Sequence, residues 1–243
     1  MNQPTPWHLG RLAGFDTEST GVDVDKDRIV TACVVQCGGN QPPAAANWLS
    51  NLDGHTIPEA ATRVHGITTE RAHKEGQPAG QVIEQVVTAL TAVVLSGIPI
   101  VAMNGRFDFT LLDREARRYG VQPLADIVGD DLRVIDPFVI DKQVDPYRRG
   151  KRTLTHLCEH YAVPLEGAHS ADADAIAACR VAWRQGQRYE RLASMSLDDL
   201  HKAQVEWAAE QAASLQEYLR QKDQNAYCAP EWPLVPAQRG GAA

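Results

Sequence analysis

The chain lacks a long apolar run. Its longest, ending at Leu95, is too short and too often interrupted to cross a bilayer, which takes about 20 apolar residues. No membrane role is therefore expected. An excess of positive charge is also missing: 24 Lys and Arg stand against 31 Asp and Glu, a formal net charge of -7. A strongly basic nucleic-acid binder is not visible in these totals, although acids that hold cations lower formal charge without repelling a phosphate. Cysteine is scarce and odd in number: Cys33, Cys37, Cys158, Cys179 and Cys228. With no leader-like segment ahead of them, they predict reduced thiols in a cytoplasmic protein. Cys33 and Cys37 suggest half a zinc site, but no second pair follows, so packing is the expected role.

What is present is enough apolar residue for one substantial core: 44% of 243 residues. Residues 1–9 carry Pro4 and Pro6 without periodicity and predict a loose arm. Strands are expected at 11–15, 28–36 and 44–50, an antiparallel meander with Gly38, Gly39 and Asn40 as turn chemistry. Pro58 suits the start of a short helix ending near His65-Gly66. Val82, Val86, Ala89, Leu90 and Val93 recur at helical spacing. A short buried strand at 98–103 precedes a helix over 107–119, ended by Gly120. A strand at 132–135 and helices at 153–161, 171–187 and 197–221 follow. This order predicts an α/β fold, a mixed sheet with helices on its faces. The expected organisation is an arm over 1–9, a main domain over 10–190, a helical extension over 191–227 and a tail of little order over 228–243.

Three stretches place acids at the ends of predicted elements. In "FDTEST", Asp16 and Glu18 are two apart, so a strand turns both to one face. Bare convergence of like charges is costly, and a divalent cation bound by carboxylate oxygens removes that cost. An acidic turn is the simpler reading of this pair alone. In "NGRFDF", Asp108 falls in the first turn of a helix, where it could simply complement the helix dipole. In "HSADADA", Asp172 and Asp174 open a helix, with His169 just before it. Two residues along a helix are about 200° of rotation, so the two acids face different ways.

Together, and in this order, the stretches resemble the DEDDh 3′–5′ exonucleases, the family of the proofreading epsilon subunit of bacterial DNA polymerase III and its stand-alone relatives. "FDTEST" resembles the first motif. "NGRFDF", with Asn104 four residues before Asp108, resembles the second. "HSADADA" resembles the third, and its His-to-Asp spacing of five selects Asp174. "VHGIT" at 64–68 is similar to the loop that borders the terminal nucleotide. The resemblance runs over about residues 12–182, and it implies a ribonuclease H-like fold.

It also implies hydrolysis of phosphodiester bonds from a 3′ end, releasing nucleoside 5′-monophosphates, with two divalent cations, Mg²⁺ or Mn²⁺. Asp16, Glu18 and Asp174 are the implied direct ligands. Asp108 would ligate directly or through water, and His169 would be the general base on the attacking water. Thr17, His65, Gly66, Ile67, Thr68, Asn104 and Phe107 are expected around the terminal nucleotide. By strand alternation Thr17 contributes through its backbone unless the strand has already ended, and Phe107 equally reads as a core anchor. Arg148, Arg149, Lys151 and Arg152 in "PYRRGKRT" form a basic loop that could steer a phosphate backbone or merely be solvated. The implied partners are single-stranded DNA or RNA 3′ ends and a DNA polymerase or another replication or repair protein. Two alternatives stay open: an exoribonuclease, and a non-catalytic module that binds through the 197–221 helix. His156 and His160 are spaced like a zinc pair, but a solvated helix face is the better reading.

Overall fold

The structure is a computed structural model and describes residues 5–165 and 170–237. After a 3-10 turn at Trp7–Leu9 come β1 (Arg11–Ser19), β2 (Ile29–Gly38) and β3 (Ala44–Leu49). Helices α1 (Glu59–His65), α2 (Thr69–Glu75) and α3 (Ala79–Leu95) lead to β4 (Ile100–Val101). Next are α4 (Arg106–Arg118), α5 (Leu124–Val128), β5 (Val134–Ile135), α6 (Pro137–Val144) and α7 (Leu154–His160). Finally α8 (Ala171–Arg188), α9 (Glu190–Ala193) and α10 (Leu197–Arg220) complete the order. The sheet order is β3-β2-β1-β4-β5. The meander pairs antiparallel, whereas β1–β4 and β4–β5 are parallel. This is the ribonuclease H-like arrangement that the motifs imply.

Alternation along β1 divides the core. Phe15 turns to one face and meets Phe109 of α4, ring centroids 5.5 Å apart. Gly14 turns to the other face, against α8. A Cβ added there would lie 2.5 Å from the carbonyl oxygen of Ala175 and 3.0 Å from Sγ of Cys179. Only glycine permits this approach of helix to strand. The strand outruns its expected end at residue 15, because β2 continues to pair it as far as Thr31 and Ile29. The register slips between Glu18 and Ser19, so the acids sit at a bulge within the strand and not in a turn beyond it.

The described residues nearest each terminus are anchored more firmly than composition suggests. In the expected loose arm, Trp7 is buried and its indole N–H donates to the Leu192 carbonyl, 2.8 Å. Helix α10 lies against α6 and β5, where it covers the sheet edge. Gln204 is fully buried, donates to the Val134 carbonyl and accepts from Asp136 N. The expected tail of little order has no regular secondary structure from Cys228 to 237, yet it is docked. Trp232 is buried, Val235 N donates to Thr110 Oγ1, and Arg114 and Arg106 bind carbonyls of the segment. One large aromatic outweighs the surrounding Pro and Ala. Among the described residues no helix is long and apolar enough to cross a membrane.

Candidate active site

Asp16, Glu18 and Asp174 converge. Each offers a carboxylate oxygen, and these oxygens lie within 4.8 Å of one another. The sequence builds this in two steps. Strand alternation points Asp16 and Glu18 to the face on which Gly14 admits α8. Asp174 precedes Ala175, the residue whose carbonyl touches Gly14, so the same close approach delivers it to β1. Asp172 is exposed and lines the rim of the adjoining cleft.

Asp108 arrives from the second face. Strand β4 pairs with β1 only at Ala13 and Gly14. Farther along, the Thr17 N–H meets Oδ1 of Asp108 at 3.1 Å, and the Thr17 hydroxyl donates to the same oxygen at 2.6 Å. Thr17 thus positions Asp108 through both its N–H and its hydroxyl.

The electrostatics follow from burial and crowding. Burial pushes the Asp16 carboxyl well above the usual carboxylate range, and Asp108, Glu18 and Asp174 push it further. Burial, then Asp174 and Asp108, raise Glu18 to about 7. Burial raises Asp108 to about 7 against the opposing Thr17 hydrogen bond. An all-oxygen donor set that disfavours its own charge fits a hard divalent cation, which is thus the group these residues would hold.

Beside Glu18 opens a cleft of ≈ 320 Å³ that also takes in His65, Ile67, Asn47 and Asp172. Gly66, at φ 73°, ends α1 and turns the chain. Nδ1 of His65 accepts from Ile67 N at 3.1 Å, and burial lowers its pKa against the Ser19 carbonyl. Thr68 caps α2 by accepting from Arg71 N. Asn47 was not singled out from the sequence. Strand register could have found it: Asp16 pairs with Cys33, and Cys33 with Asn47, in one row across the sheet. Asp136 was also missed. It is buried after β5 and accepts from the backbone N–H groups of Asn104, Gly105 and Phe138, fixing the start of the second motif.

Asn104 is exposed at φ 57°, and Phe107 is half-buried against the core. The basic loop divides. Arg148 and Arg152 both pair with Asp141, which is fully buried, and this gives them an anchoring role in place of phosphate steering. Arg149 and Lys151 remain exposed. His156 faces Thr153 and His160 faces Arg188, so the two do not converge as zinc ligands. His169 lies outside the described residues.

The exonuclease model of the RNase T family matches residues 13–182. The chain belongs to this exonuclease family. The match covers the same span as the DEDDh motifs. No curated protein sequence matches the chain. Among solved structures, exonuclease I aligns with TM-score 0.61 at 19% identity, over 75% of this chain and 42% of that one. E. coli exonuclease I in complex with a dT13 oligonucleotide aligns with TM-score 0.59 at 18% identity, over 75% and 42%. An exonuclease I complex with the C-terminal segment of SSB gives 0.59 at 17%, over 76% and 42%. At these identities the likeness is one of fold, and this chain spans less than half the length of those chains.

Proposed function

We propose that this chain is a metal-dependent 3′–5′ exonuclease that shortens single-stranded nucleic acid, DNA by preference, and releases nucleoside 5′-monophosphates. The observation that carries this reading is the convergence of Asp16, Glu18 and Asp174 within 4.8 Å, beside an open cleft, on a chain of the exonuclease family. The preference for single-stranded DNA is supported by the fold shared with exonuclease I, which was captured with dT13 and dA16. Asp16, Glu18 and Asp174 would hold two divalent cations, Mg²⁺ or Mn²⁺, with Asp108 completing the set from the α4 side. Such ions, when bound, stabilise charge on the reacting phosphate and supply a nucleophile at neutral pH.

The chain's own residues supply the rest. Thr17 favours the ionised form of Asp108 and holds it in place. His65, Ile67 and Asn47 wall the cleft in which the terminal nucleotide sits next to Glu18. His169, two residues before the start of α8 in sequence, takes the proton of the attacking water, since an imidazole titrates near neutral pH. Arg149 and Lys151 offer exposed charge to the backbone of the strand. Reduced thiols support a cytoplasmic place of action. A polymerase or repair partner would meet the C-terminal end of α10, where Tyr218 and Leu219 stand exposed.

The test uses 5′-labelled single-stranded DNA and RNA with Mg²⁺, Mn²⁺ or EDTA. A metal-dependent ladder that shortens from the 3′ end, lost in Asp16→Ala and His169→Ala, is the expected result. No cleavage of either polymer, or full activity in Asp16→Ala, would overturn the reading. Faster cleavage of RNA than DNA would reassign the substrate.

A further inference from the structure

A second cleft of ≈ 320 Å³ opens on the α6 side of the second motif, between α6, α10 and the docked segment that holds Cys228 and Trp232. Its floor is apolar: Val139 of α6, with Ala208, Ala212 and Leu215 of α10. Its polar lining sets two cations, Arg106 and Lys142, against one buried acid, Asp136. Lys142 lies over the Phe138 ring at 5.1 Å and forms no ion pair among the described residues. Burial, then the charges of Arg152 and Arg106, lower its pKa. Arg106 spends one donor on the Ala229 carbonyl, 2.7 Å away, and likewise has no ion pair among the described residues. Of the acids nearby, both oxygens of Asp136 are already taken by N–H donors of Asn104, Gly105, Phe138 and Trp232, and Glu231 is exposed. Asp136 and Glu231 lie near enough to act on the Arg106 charge, but neither forms an ion pair with Arg106 or Lys142 among the described residues, and two half-buried cations that face the same space unpaired favour an anion there. An apolar floor beside that anion position suits the flat face of a base, and clefts of roughly this size, about 300 Å³ upward, hold small ligands.

The cleft is also in the right place. Asn104 lines it, four residues before Asp108 in the chain and just ahead of the helix α4 that carries Asp108. We propose that this cleft binds one nucleotide unit of the substrate strand upstream of the cleaved end, its phosphate between Arg106 and Lys142 and its base over the α10 floor. The inference rests on the proposed exonuclease reading. It assigns α10 and the docked segment, which lie beyond the family match at 13–182, a part in holding the strand.

The test uses the full chain and 5′-labelled oligothymidylates of 2 to 12 nucleotides, with Lys142→Glu, the milder Lys142→Gln, and Ala212→Trp, which fills the floor from α10. In the wild type, KM should fall with length until the strand reaches the cleft. The variants should raise KM for the 12-mer about tenfold and leave cleavage of the dinucleotide unchanged. Equal kinetics at every length would overturn the proposal, as would an equal loss on the dinucleotide. Binding of the 12-mer in EDTA, by fluorescence anisotropy, keeps the two claims apart. Weaker binding by Lys142→Glu supports the cleft even if no polymer is cut, and unchanged binding overturns it. Added dTMP and inorganic phosphate tell a strand phosphate from a free one. Displacement of label by dTMP without any length dependence reassigns the cleft to a free mononucleotide and overturns the strand assignment. Displacement only by an acidic peptide does so in favour of a protein.

Discussion

The Thr17 hydroxyl donates a 2.6 Å hydrogen bond to Oδ1 of Asp108, across 91 residues of sequence and from a strand to the first turn of a helix. The bond favours the ionised carboxylate at a buried position where desolvation raises its pKa to about 7. Thr17→Val keeps the backbone bond and removes this one. A hydrogen bond to a charged group contributes about 1.5–3 kcal/mol, so the Asp108 pKa should climb further. The acid limb of the pH–rate profile, at fixed saturating Mn²⁺, should move upward by about one to two pH units. Thr17→Ser should restore it. An unshifted limb in Thr17→Val sinks the positioning role.

Gly14 and Ala175 set how closely α8 lies on β1. The contact leaves no room for a Cβ, which would come within 2.5 Å of a backbone oxygen that cannot rotate away. Gly14→Ala should force the helix outward and carry Asp174 from Asp16. Overpacking of this kind costs about 1–3 kcal/mol, readable as a lower urea midpoint at unchanged slope. The activity loss should fall mainly on kcat. A variant with wild-type midpoint and kcat would show that some other contact seats Asp174.

The carboxylate cluster also makes stability depend on pH and on cations. Asp16, Glu18 and Asp108 all have folded pKa values above the unfolded range of about 4. Between pH ~4 and ~7 the folded chain therefore binds more protons than the unfolded one, and stability falls as pH rises. A cation that binds only the folded state reverses the loss. Thermal melts in EDTA should drop in Tm from pH 5 to pH 8, and Mn²⁺ should raise Tm more at pH 8 than at pH 5. Asp16→Asn should raise Tm in EDTA at pH 8 and abolish most of the Mn²⁺ gain. A Tm indifferent to Mn²⁺ at pH 8 rules out the cluster as a cation site.

The parts of this site that could be read in the sequence are those fixed by short-range geometry. The i, i+2 spacing of Asp16 and Glu18 in a strand, and the five-residue spacing from His169 to Asp174, need no tertiary contact to interpret. The meander was legible for the same reason, through β-branched residues between turn signals. Contacts made across the sheet were not. The hold of Thr17 on Asp108 is invisible in the sequence because nothing local shows that α4 will enter where β4 ends. Arg148 and Arg152 looked free because their partner, Asp141, is a helix residue whose burial depends on how α6 packs. The docked segment reads as loose because composition averages over Trp232, its one buried aromatic, and does not show its hydrogen bonds to Thr110, Arg106 and Arg114.

Asp172 and Asp174 provide an internal comparison on one helix. Two residues apart, they are rotated by about 200°, and only Asp174 shares the oxygen cluster. Asp174→Asn should lower kcat by about 100-fold or more if Asp174 holds a cation as proposed. Asp172→Asn stands at the exposed rim of the cleft by Glu18. Its kcat should stay near wild type, while KM should fall slightly because one negative charge near the strand is gone. Equal losses in both variants would mean that the start of α8 acts as a whole and not through one carboxylate.

Trp232 and Asp136 join the docked segment to the second motif. The indole N–H donates to Oδ2 of Asp136 at 3.3 Å, and that same oxygen accepts from Gly105 N. The tryptophan is also buried, with its ring 5.3 Å from that of His201 on α10. Trp232→Ala removes both packing and hydrogen bond and should cost about 3–5 kcal/mol, the usual range for a buried aromatic. Trp232→Phe separates the two contributions: most of the burial stays and the donor goes. If the hydrogen bond matters to the site, Trp232→Phe should lose activity out of proportion to its small loss of stability, because Asp136 then holds Asn104 and Gly105 less rigidly. If Trp232→Phe is fully active and Trp232→Ala is merely unstable, the segment serves only to cover α10. Urea unfolding and kcat on one oligonucleotide, measured for both variants, decide between these.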